Sequence, residues 1–449
     1  MRKVHQHMTG PLYDVIGIGF GPANIALAAA FEERGEHGAV LFLERAEKSG
    51  WQPSMLLDGS DIQNNPLRDL VTPRNPRSKY SFINFLHQHG RLFDYMNLGV
   101  EYPLRKEYAQ YIAWVAQHFN ESVLYDRFVT GLAIDDLDQG PAFVLTTDAG
   151  EVFRSRSLVV APGRTPLIPD PFQNLEGPRV FHLTQYLAAL GELTRRQSPL
   201  ERVCVVGGSQ SAIEIVLDLA TRFPELEVLN VQRGFGFALK DTSPFSDRVY
   251  FPEHVDYYFN ASRASKCTID AQLKRTNYSS ADGDVIHRLY LMLYEHKLDQ
   301  KERIKLLTNT RVNAVDLAGD KVLLDVEEIH RHERGRISAD CVVLATGFRN
   351  LGSGPNDERV PPLLRPIVDR LRLDSDGVME VGRDYRLYDA CPDQRLPPIF
   401  LNGLCENTHG MGDAGSFSLL SLRSDVIARS LSCALTQSGS TTLSPARAY

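Results

Sequence analysis

Hydrophobic residues near the start of the chain form a short apolar run that ends in glycines. Residues 14–24 read DVIGIGFGPAN, a pattern that predicts a buried strand, a glycine turn and the first turn of a helix. Residues 25–30 continue with strong helix formers. Gly19 and Gly21 let the backbone turn tightly and approach a pyrophosphate, which would lie at the helix N-terminus. The pattern therefore predicts a dinucleotide-binding turn.

A carboxylate follows this turn at the spacing that dinucleotide-binding folds use. The apolar residues 40–43 predict a second strand, and Glu44 ends it. A carboxylate in that position suits a ribose hydroxyl group. The complete pattern is G-x-G-x-x-N, in which Asn24 stands where a third glycine is usual. Strand, turn, helix and carboxylate in this order favour a dinucleotide site over an ordinary tight turn.

A second glycine turn occurs in the middle of the chain. Residues 202–206 predict a buried strand, which leads into a G-x-S-x-x-A pattern that begins at Gly207 and includes Gln210 and Ser211. The next apolar strand ends beside Arg233. A basic side chain there suits the 2′-phosphate of NADP, although a solvated surface charge is the alternative interpretation. The sequence thus predicts two dinucleotide sites.

Two such turns are typical of a flavoprotein that also binds a nicotinamide cofactor. We therefore predict an α/β fold with two Rossmann-like dinucleotide-binding domains, one for FAD and one for NADPH, and a smaller, mostly helical substrate region. In this division the FAD domain comprises residues 1–165 and 340–449, the second part starting with a buried strand that ends in Ala-Thr-Gly. The NADPH domain comprises residues 166–240 and 301–339, and residues 241–300 form the substrate region.

Composition and charge argue against several classes of function. A chain of 449 residues is long enough for two or more domains. The net charge of −7 argues against nucleic-acid binding, and no apolar run in the sequence is long enough to cross a bilayer. The six cysteines form no C-x-x-C pair, so the sequence indicates neither a metal site nor a disulfide framework. A reducing cytoplasm is the simplest location.

Several short motifs, in order along the chain, resemble those of one enzyme family. The sequence is similar to the FAD- and NADPH-dependent N-hydroxylating monooxygenases, which include the L-ornithine N5- and L-lysine N6-monooxygenases. The resemblance extends from about residue 13 to about residue 430. Its most specific parts are residues 17–24, 55–57 with Gln63, 69–70 with 80–82, 210–212, 276–279, 345–347 and 408–410.

The resemblance implies a reaction. It implies that NADPH and O2 are used to hydroxylate a primary amine of a small amino acid or a diamine, through a C4a-hydroperoxide of the flavin. L-Ornithine, hydroxylated at N5, is the best single candidate, and siderophore or related biosynthesis is the expected pathway. The amine must be unprotonated, because an ammonium has no lone pair, and a desolvated site lowers an amine's pKa in that direction. The resemblance also implies a homo-oligomer, either a tetramer or a dimer.

The resemblance also implies roles for particular residues. The positions matching FAD contacts are Gly19, Gly21, Asn24 and Glu44, and those lining the flavin are Trp51 and Gln63. The positions matching NADPH contacts are Gly207, Gln210, Ser211 and Arg233. Asn277 matches an asparagine that touches both substrate and nicotinamide. Gln63 and Asn277 are therefore the expected catalytic positions.

The departures from the family pattern lie at the substrate. Arg68 stands where the family has a lysine that holds the substrate carboxylate, and Asp247 replaces an asparagine that makes a second carboxylate contact. These two side chains could pair with each other and leave room for a diamine, or Asp247 could meet a second ammonium. Alternatively, the loops are repacked and ornithine still binds. The closing segment, residues 409–421, is also longer than the family pattern.

Three other functions compete with N-hydroxylation. A Baeyer–Villiger or S-oxygenating flavin monooxygenase usually carries an F-x-G-x-x-x-H fingerprint before its second turn, and this sequence lacks it there. A pyridine-nucleotide disulfide reductase needs a redox-active cysteine pair near the flavin, and no closely spaced pair exists. A nucleotide-binding module without enzymatic activity is the third alternative, which amine-dependent hydroxylamine formation would exclude.

Overall fold

The structure, a computed structural model, describes residues 11–36, 38–137, 140–195, 199–391 and 395–437. The helices are α1 (Pro22–Glu33), α2 (Phe82–Gln88), α3 (Leu92–Leu98), α4 (Arg105–Gln117), α5 (Tyr186–Thr194), α6 (Gln210–Arg222), α7 (Pro252–Phe259), α8 (Arg263–Leu273), α9 (Gly283–Leu298), α10 (Glu406–His409), α11 (Met411–Ala414) and α12 (Leu420–Gln437). The strands are β1 (Leu12–Tyr13), β2 (Val15–Ile18), β3 (Val40–Leu43), β4 (Val123–Leu124), β5 (Val129–Leu137), β6 (Gly140–Thr147), β7 (Val152–Ser155), β8 (Leu158–Val160), β9 (Val180–His182), β10 (Arg202–Val206), β11 (Glu227–Val231), β12 (Ile304–Leu307), β13 (Thr310–Ala318), β14 (Lys321–Glu328), β15 (Arg334–Ala339), β16 (Cys341–Leu344) and β17 (Ile399–Leu401).

The first glycine turn follows the central strand of a parallel sheet. This sheet has the order β17-β8-β2-β3-β4, and Ile16 of β2 lies between Leu41 of β3 and Leu158 of β8. All four residues of β2 are buried, as expected for a short apolar strand covered on both faces. Helices α1 and α12 pack against each other beside this sheet. A separate sheet, β1-β7-β6-β5, contains an antiparallel meander of β5, β6 and β7.

The second glycine turn follows an inner strand of another parallel sheet. Its strand order is β12-β11-β10-β16-β9, and the antiparallel sheet β13-β14-β15 adjoins it. The prediction that residue 340 begins the return to the FAD domain is wrong for β16. All four residues of β16 are buried, and the strand lies between β10 and β9 of the second sheet. An apolar strand can occupy the interior of either parallel sheet, so its pattern did not distinguish the two.

The chain crosses between the two parallel sheets twice, and the two crossing segments lie side by side. Leu167 donates a backbone hydrogen bond to Gly347, and Arg349 donates one to Thr165. Pro166 and Phe348 form an isolated antiparallel bridge between these bonds. The return to the first domain therefore begins just after Gly347. Residues 1–10 and 438–449, which the predicted FAD domain included, lie outside the described residues.

The region predicted to be helical, residues 241–300, contains α7, α8 and α9. Helix α9 packs against α6 of the second domain, and α7 packs against α10, which follows β17 of the first domain. This region therefore contacts both domains. Within the described part of the chain, no helix combines the length and apolar character that a bilayer crossing requires.

A buried ion pair also joins the two domains. Arg105 of α4 donates two hydrogen bonds, of 2.9 and 3.0 Å, to the carboxylate of Glu214 in α6. Its side chain is 10% exposed and that of Glu214 is 4% exposed. Arg105 also donates to the backbone oxygen of Met55 at 3.0 Å. The planar guanidinium fits the carboxylate bidentately, which fixes the orientation of α4 relative to α6.

We expect Arg105→Ala to destabilise the protein, because it leaves the Glu214 carboxylate buried without its partner. The free energy of unfolding should fall by about 3–5 kcal/mol, measured by denaturant titration of the FAD-loaded protein. Lys106→Ala is the matched control, since Lys106 is the next residue and pairs with Asp58 at the surface. It should leave the unfolding midpoint nearly unchanged. Equal midpoints for the two variants would contradict this account.

Candidate active site

The first glycine turn makes a close backbone contact that requires glycine. Gly19 has φ +84°, and a Cβ atom there would lie 2.4 Å from the backbone oxygen of Ala161 at the end of β8. At Gly21, which precedes α1, a Cβ would meet no atom within 4 Å. Gly19 thus allows the turn, and the open space at Gly21 lets a ligand approach the start of a 12-residue helix. This geometry fits a pyrophosphate.

Glu44 and Asn24 hold this turn in different ways. The Glu44 carboxylate accepts hydrogen bonds from the backbone N–H groups of Phe20 at 2.6 Å and Ala46 at 2.9 Å. It keeps further lone pairs for a ribose hydroxyl. Asn24 is fully buried, and its Nδ2 donates to the backbone oxygen of Gly19 at 2.7 Å. The structure therefore places Asn24 behind the turn, where it fixes the shape of the backbone.

A buried polar network that the sequence analysis missed supports Asn24 from the other side. Asn402 donates to Asn24 Oδ1 at 3.0 Å and accepts from Arg423 Nε at 2.9 Å. Arg423 also pairs with Asp413 at 3.2 Å, and Tyr385 donates to Asp413 Oδ1 at 2.9 Å. No local pattern indicated this network, because Arg423 stands in a mixed segment with Asp425 and Arg429, and its partners are distant in the chain.

A cleft of about 1410 Å³ lies between the two domains and the helical region. Nine of the residues singled out in the sequence line it: Trp51, Gln63, Arg68, Gly207, Gln210, Ser211, Arg233, Asp247 and Asn277. They come from all three parts of the predicted division. Gly19, Gly21, Asn24 and Glu44 are not among its lining residues. The structure therefore brings the expected NADPH, flavin and substrate positions together and places the first turn beside them.

The second turn repeats the backbone contact of the first. Gly207 has φ +154°, and a Cβ there would lie 2.4 Å from the backbone oxygen of Ala345, just after β16. Gln210 begins α6, and its side chain is already engaged: Oε1 accepts from the N–H of Asp282 at 2.9 Å and Nε2 donates to Glu214 at 3.1 Å. Arg233 follows β11, and its side chain is exposed at the cleft.

Gln63 contacts a carboxylate at the start of α9. Its backbone adopts φ +52°, and its side-chain nitrogen donates to Asp282. Lys240 lies 3.6 Å from the same carboxylate. Asp61 accepts a hydrogen bond from the N–H of Gln63 at 2.9 Å, and burial raises the pKa of Asp61 to about 6. Trp51 packs edge-on against Phe417, with ring centroids 5.2 Å apart.

Arg68 and Asp247 line the same cleft without forming an ion pair. Both residues are described, and no nitrogen of Arg68 lies within 4.0 Å of the Asp247 carboxylate. Arg68 instead donates to Ser418 Oγ at 3.4 Å, and its guanidinium carbon lies 5.8 Å from the centroid of the Tyr250 ring. Burial raises the pKa of Asp247, while the positive charges of Arg68 and Lys240 oppose that rise. Each side chain therefore retains capacity for a ligand of opposite charge.

Three polar residues that the sequence analysis gave no role form hydrogen bonds beside Asn277. Tyr278 follows Asn277, donates a hydrogen bond to Glu406 and accepts one from Arg164 Nη1 at 2.9 Å. Burial raises the pKa of Glu406 to about 7. Glu406 lies two residues before the 408–410 motif, and a carboxyl group so close to a recognised motif was the available signal. Among the described residues, no group of three or more His, Cys, Asp or Glu side chains could hold a metal ion.

Comparison with known proteins places the chain in a family. Residues 11–350 match the family model described as L-lysine 6-monooxygenase/L-ornithine 5-monooxygenase. The chain belongs to this family. It is therefore a flavin-dependent N-monooxygenase, and its cofactors are FAD and NADPH. The open space at Gly21 and the close backbone contact at Gly207 are both compatible with a turn that binds a dinucleotide.

Several members of this family are similar in sequence to this chain over nearly its whole length. An L-ornithine N(5)-monooxygenase of Pseudomonas aeruginosa is 34% identical and matches 94% of each chain. Another, from Burkholderia cepacia, is 36% identical over 89% of this chain and 90% of its own. An ornithine N-hydroxylase structure from Kutzneria sp. 744, with reduced FAD, NADP⁺ and L-ornithine, has 31% identity and a TM-score of 0.86, covering 94% and 99% of the two chains. These relatives support N-hydroxylation rather than the C- or S-oxygenating alternatives.

If Arg233 binds the 2′-phosphate, Arg233→Ala should weaken NADPH binding and spare NADH. Loss of a hydrogen bond to a charged group predicts an increase of about 10- to 100-fold in the Kd for NADPH. Binding of both nucleotides can be measured by fluorescence titration of the FAD-loaded protein. Arg222→Ala, which removes a charge paired with Asp218 at the end of α6, is the control and should change neither Kd. Equal losses for NADPH and NADH would assign Arg233 another role.

Proposed function

We propose that the substrate is L-ornithine, hydroxylated at N5, with Arg68 binding its α-carboxylate and Asp247 its α-ammonium. The observation that carries this proposal is the pair of opposite charges in the cleft, which line the same space as Asn277 without bonding to each other. An amino acid presents both a carboxylate and an ammonium on one carbon. Two unpaired side chains of opposite charge fit such a head group, and the named relatives support ornithine.

The two charges complement the head group for separate physical reasons. The guanidinium of Arg68 presents a planar fork that matches a carboxylate, so replacement of the family lysine preserves that contact with altered geometry. Asp247 is partly buried, which disfavours its charged form. An ammonium beside Asp247 favours the carboxylate again. The Asp247 carboxylate, which would repel the carboxylate of ornithine, thereby binds its α-ammonium.

The rest of the cleft orients the side-chain amine. Bound FAD and NADPH supply the reducing power that activates O2 for transfer to the amine nitrogen. Asn277 and Gln63 both line the cleft. We assign Asn277 to hold the amine nitrogen and Gln63 to contact the flavin. The aromatic side chains of Trp51, Tyr108 and Phe417 pack together at one wall and exclude water there. Exclusion of water favours the neutral amine, which is the nucleophilic form.

A diamine is the second candidate, and Asp247 itself favours it. A carboxylate at this position could bind the distal ammonium of putrescine or cadaverine, neither of which carries a carboxylate. Arg68 would then have no ligand and would remain with Ser418 and Tyr250, its present neighbours. The two candidates therefore differ in whether Arg68 contributes to binding.

A panel of amines with two variants distinguishes these candidates. NADPH oxidation, hydroxylamine and hydrogen peroxide are measured with L-ornithine, L-lysine, putrescine and cadaverine. We expect L-ornithine to give hydroxylamine in nearly equal amount to the NADPH consumed. Arg68→Met and Asp247→Ala should each raise its KM by about 10- to 100-fold, since each loses a charged hydrogen bond.

The control is Arg248→Met, because Arg248 is an exposed arginine next to Asp247 in sequence and does not line the cleft. It should leave every KM unchanged. Tight coupling with putrescine, abolished by Asp247→Ala and unaffected by Arg68→Met, would establish the diamine instead.

We also propose that the protein is a cytoplasmic homo-oligomer, a dimer or tetramer, that serves siderophore biosynthesis. All six cysteines are unpaired, which supports a reducing compartment. Large apolar side chains on α3 and α9 support association: Phe93 is 82% exposed, Met96 67%, Tyr290 71% and Leu298 64%.

Sedimentation of the purified protein tests the assembly. We expect a dimer or tetramer, and Phe93→Ser or Tyr290→Ser should shift it toward the monomer because each removes an exposed apolar side chain. Tyr388→Ser, at a separate exposed aromatic residue, is the control. A wild-type monomer at every concentration would contradict the proposal.

A further inference from the structure

A chain of hydrogen bonds leads from the cleft to a buried carboxyl group. Tyr278 lines the cleft, and its hydroxyl donates to Glu406 Oε2 at 2.5 Å. Glu406 begins α10 and is not a lining residue of the cleft. Arg164, which also lines the cleft, donates from Nη1 to the Tyr278 oxygen at 2.9 Å. Glu406 can therefore exchange protons with the cleft through Tyr278.

The Tyr278 oxygen has one unused position. A phenol donates one hydrogen bond and can accept two. Tyr278 donates to Glu406 and accepts from Arg164, so among the described residues one lone pair remains without a partner. A Cβ on Gly415 would lie 3.5 Å from the Tyr278 oxygen and 3.4 Å from Asn277 Nδ2. The phenol and the Asn277 amide therefore flank the same glycine, on the wall of the cleft.

We propose that Tyr278 and Glu406 together take the proton from the substrate's side-chain ammonium. An N–H bond of the ammonium breaks and its proton moves to the Tyr278 oxygen, while the phenol's own proton moves to Glu406 Oε2. The products are a neutral amine, an unchanged phenol and a neutral carboxylic acid. Tyr278 is the catalytic residue in this step, and Glu406 acts through it. The inference rests on the proposed amine substrate at Asn277.

The surroundings of Glu406 suit this role. Burial raises its pKa to about 7, the range in which a carboxyl group can act as a base at neutral pH. Burial of an ammonium in the cleft lowers its pKa, so the proton affinities of donor and acceptor approach each other. Transfer also removes two charges from a poorly solvated site, which the same desolvation favours.

Several charged and titratable groups face Glu406 and influence its protonation. Arg164 and the hydrogen bond from Tyr278 lower its pKa, whereas the negative charges of Asp270 and Asp413 raise it. Tyr258 and Tyr250 also lie within its electrostatic reach. Since Arg164 is the positive group among these, it opposes the rise in pKa that burial causes and favours the ionised form of Glu406.

The first test is the pH dependence of hydroxylamine formation in Glu406→Gln and Tyr278→Phe. In the wild type, kcat/KM for hydroxylamine should rise with pH and level off above about 7, once Glu406 is ionised. In each variant, only the fraction of the amine that is already unprotonated in solution can react. We expect a loss of at least about tenfold at pH 7.5, regained at about tenfold per pH unit toward an amine pKa of about 10.4.

A matched control separates proton transfer from structural support. Tyr186 donates to Asp218 at 2.7 Å, a second tyrosine–carboxyl pair that belongs to the second domain, and neither residue lines the cleft. Tyr186→Phe should keep the wild-type pH profile. If Glu406→Gln and Tyr278→Phe also keep that profile while hydroxylamine forms, the proposal is overturned.

A spectroscopic readout does not depend on turnover. When the amine is added to oxidised protein loaded with FAD and NADP⁺ at pH 8, difference infrared spectra should gain a protonated carboxyl band. Glu406→Gln should lack that band, and Tyr186→Phe should retain it. Failure of the wild type to make hydroxylamine from any amine would contradict the proposed function, and the band would still decide whether Glu406 accepts a proton. Absence of the band in the wild type would overturn the inference.

Discussion

The cleft depends on one backbone contact that occurs twice. In each parallel sheet, a glycine after an inner strand passes so close to the end of a neighbouring strand that no side chain fits between them. Gly19 meets Ala161 in this way, and Gly207 meets Ala345. The contacts bring each turn against the carboxyl end of its own sheet, the edge at which α/β folds bind ligands. Everything else in the site is arranged around these two fixed turns.

The distance between the two turns is set by polar contacts that cross the domain boundary. Arg105 binds Glu214, which accepts from Gln210, and Gln210 accepts from the N–H of Asp282. Gln63 closes the series by donating to the Asp282 carboxylate. One wall of the cleft is therefore a continuous set of hydrogen bonds that starts and ends in the first domain. Gln63 and Gln210, which were assigned to cofactors, thus also hold the domains together. Their positions therefore depend on contacts within the protein as well as on the ligand.

Local patterns predicted what depends on neighbours in sequence. The two turns and the strands before them follow from residues a few positions apart, and the structure has them where expected. The sheet to which β16 belongs and the Arg164–Tyr278–Glu406 contacts depend on residues more than a hundred positions apart. Arg68 and Asp247 were identified, yet whether they pair is decided by a few ångströms of loop geometry, which residue types alone do not specify.

The Asn402–Arg423 contact bears on the order in which the chain can fold. Asn24, in the first glycine turn, is held by Asn402, which in turn is held by Arg423 in the final helix. β17, an edge strand of the same sheet, also comes from this late segment. A ribosome must therefore synthesise almost the entire chain before the earliest turn gains its permanent supports. The nascent FAD-binding half remains incomplete until then, and exposed apolar strands of this kind are what chaperones recognise during synthesis.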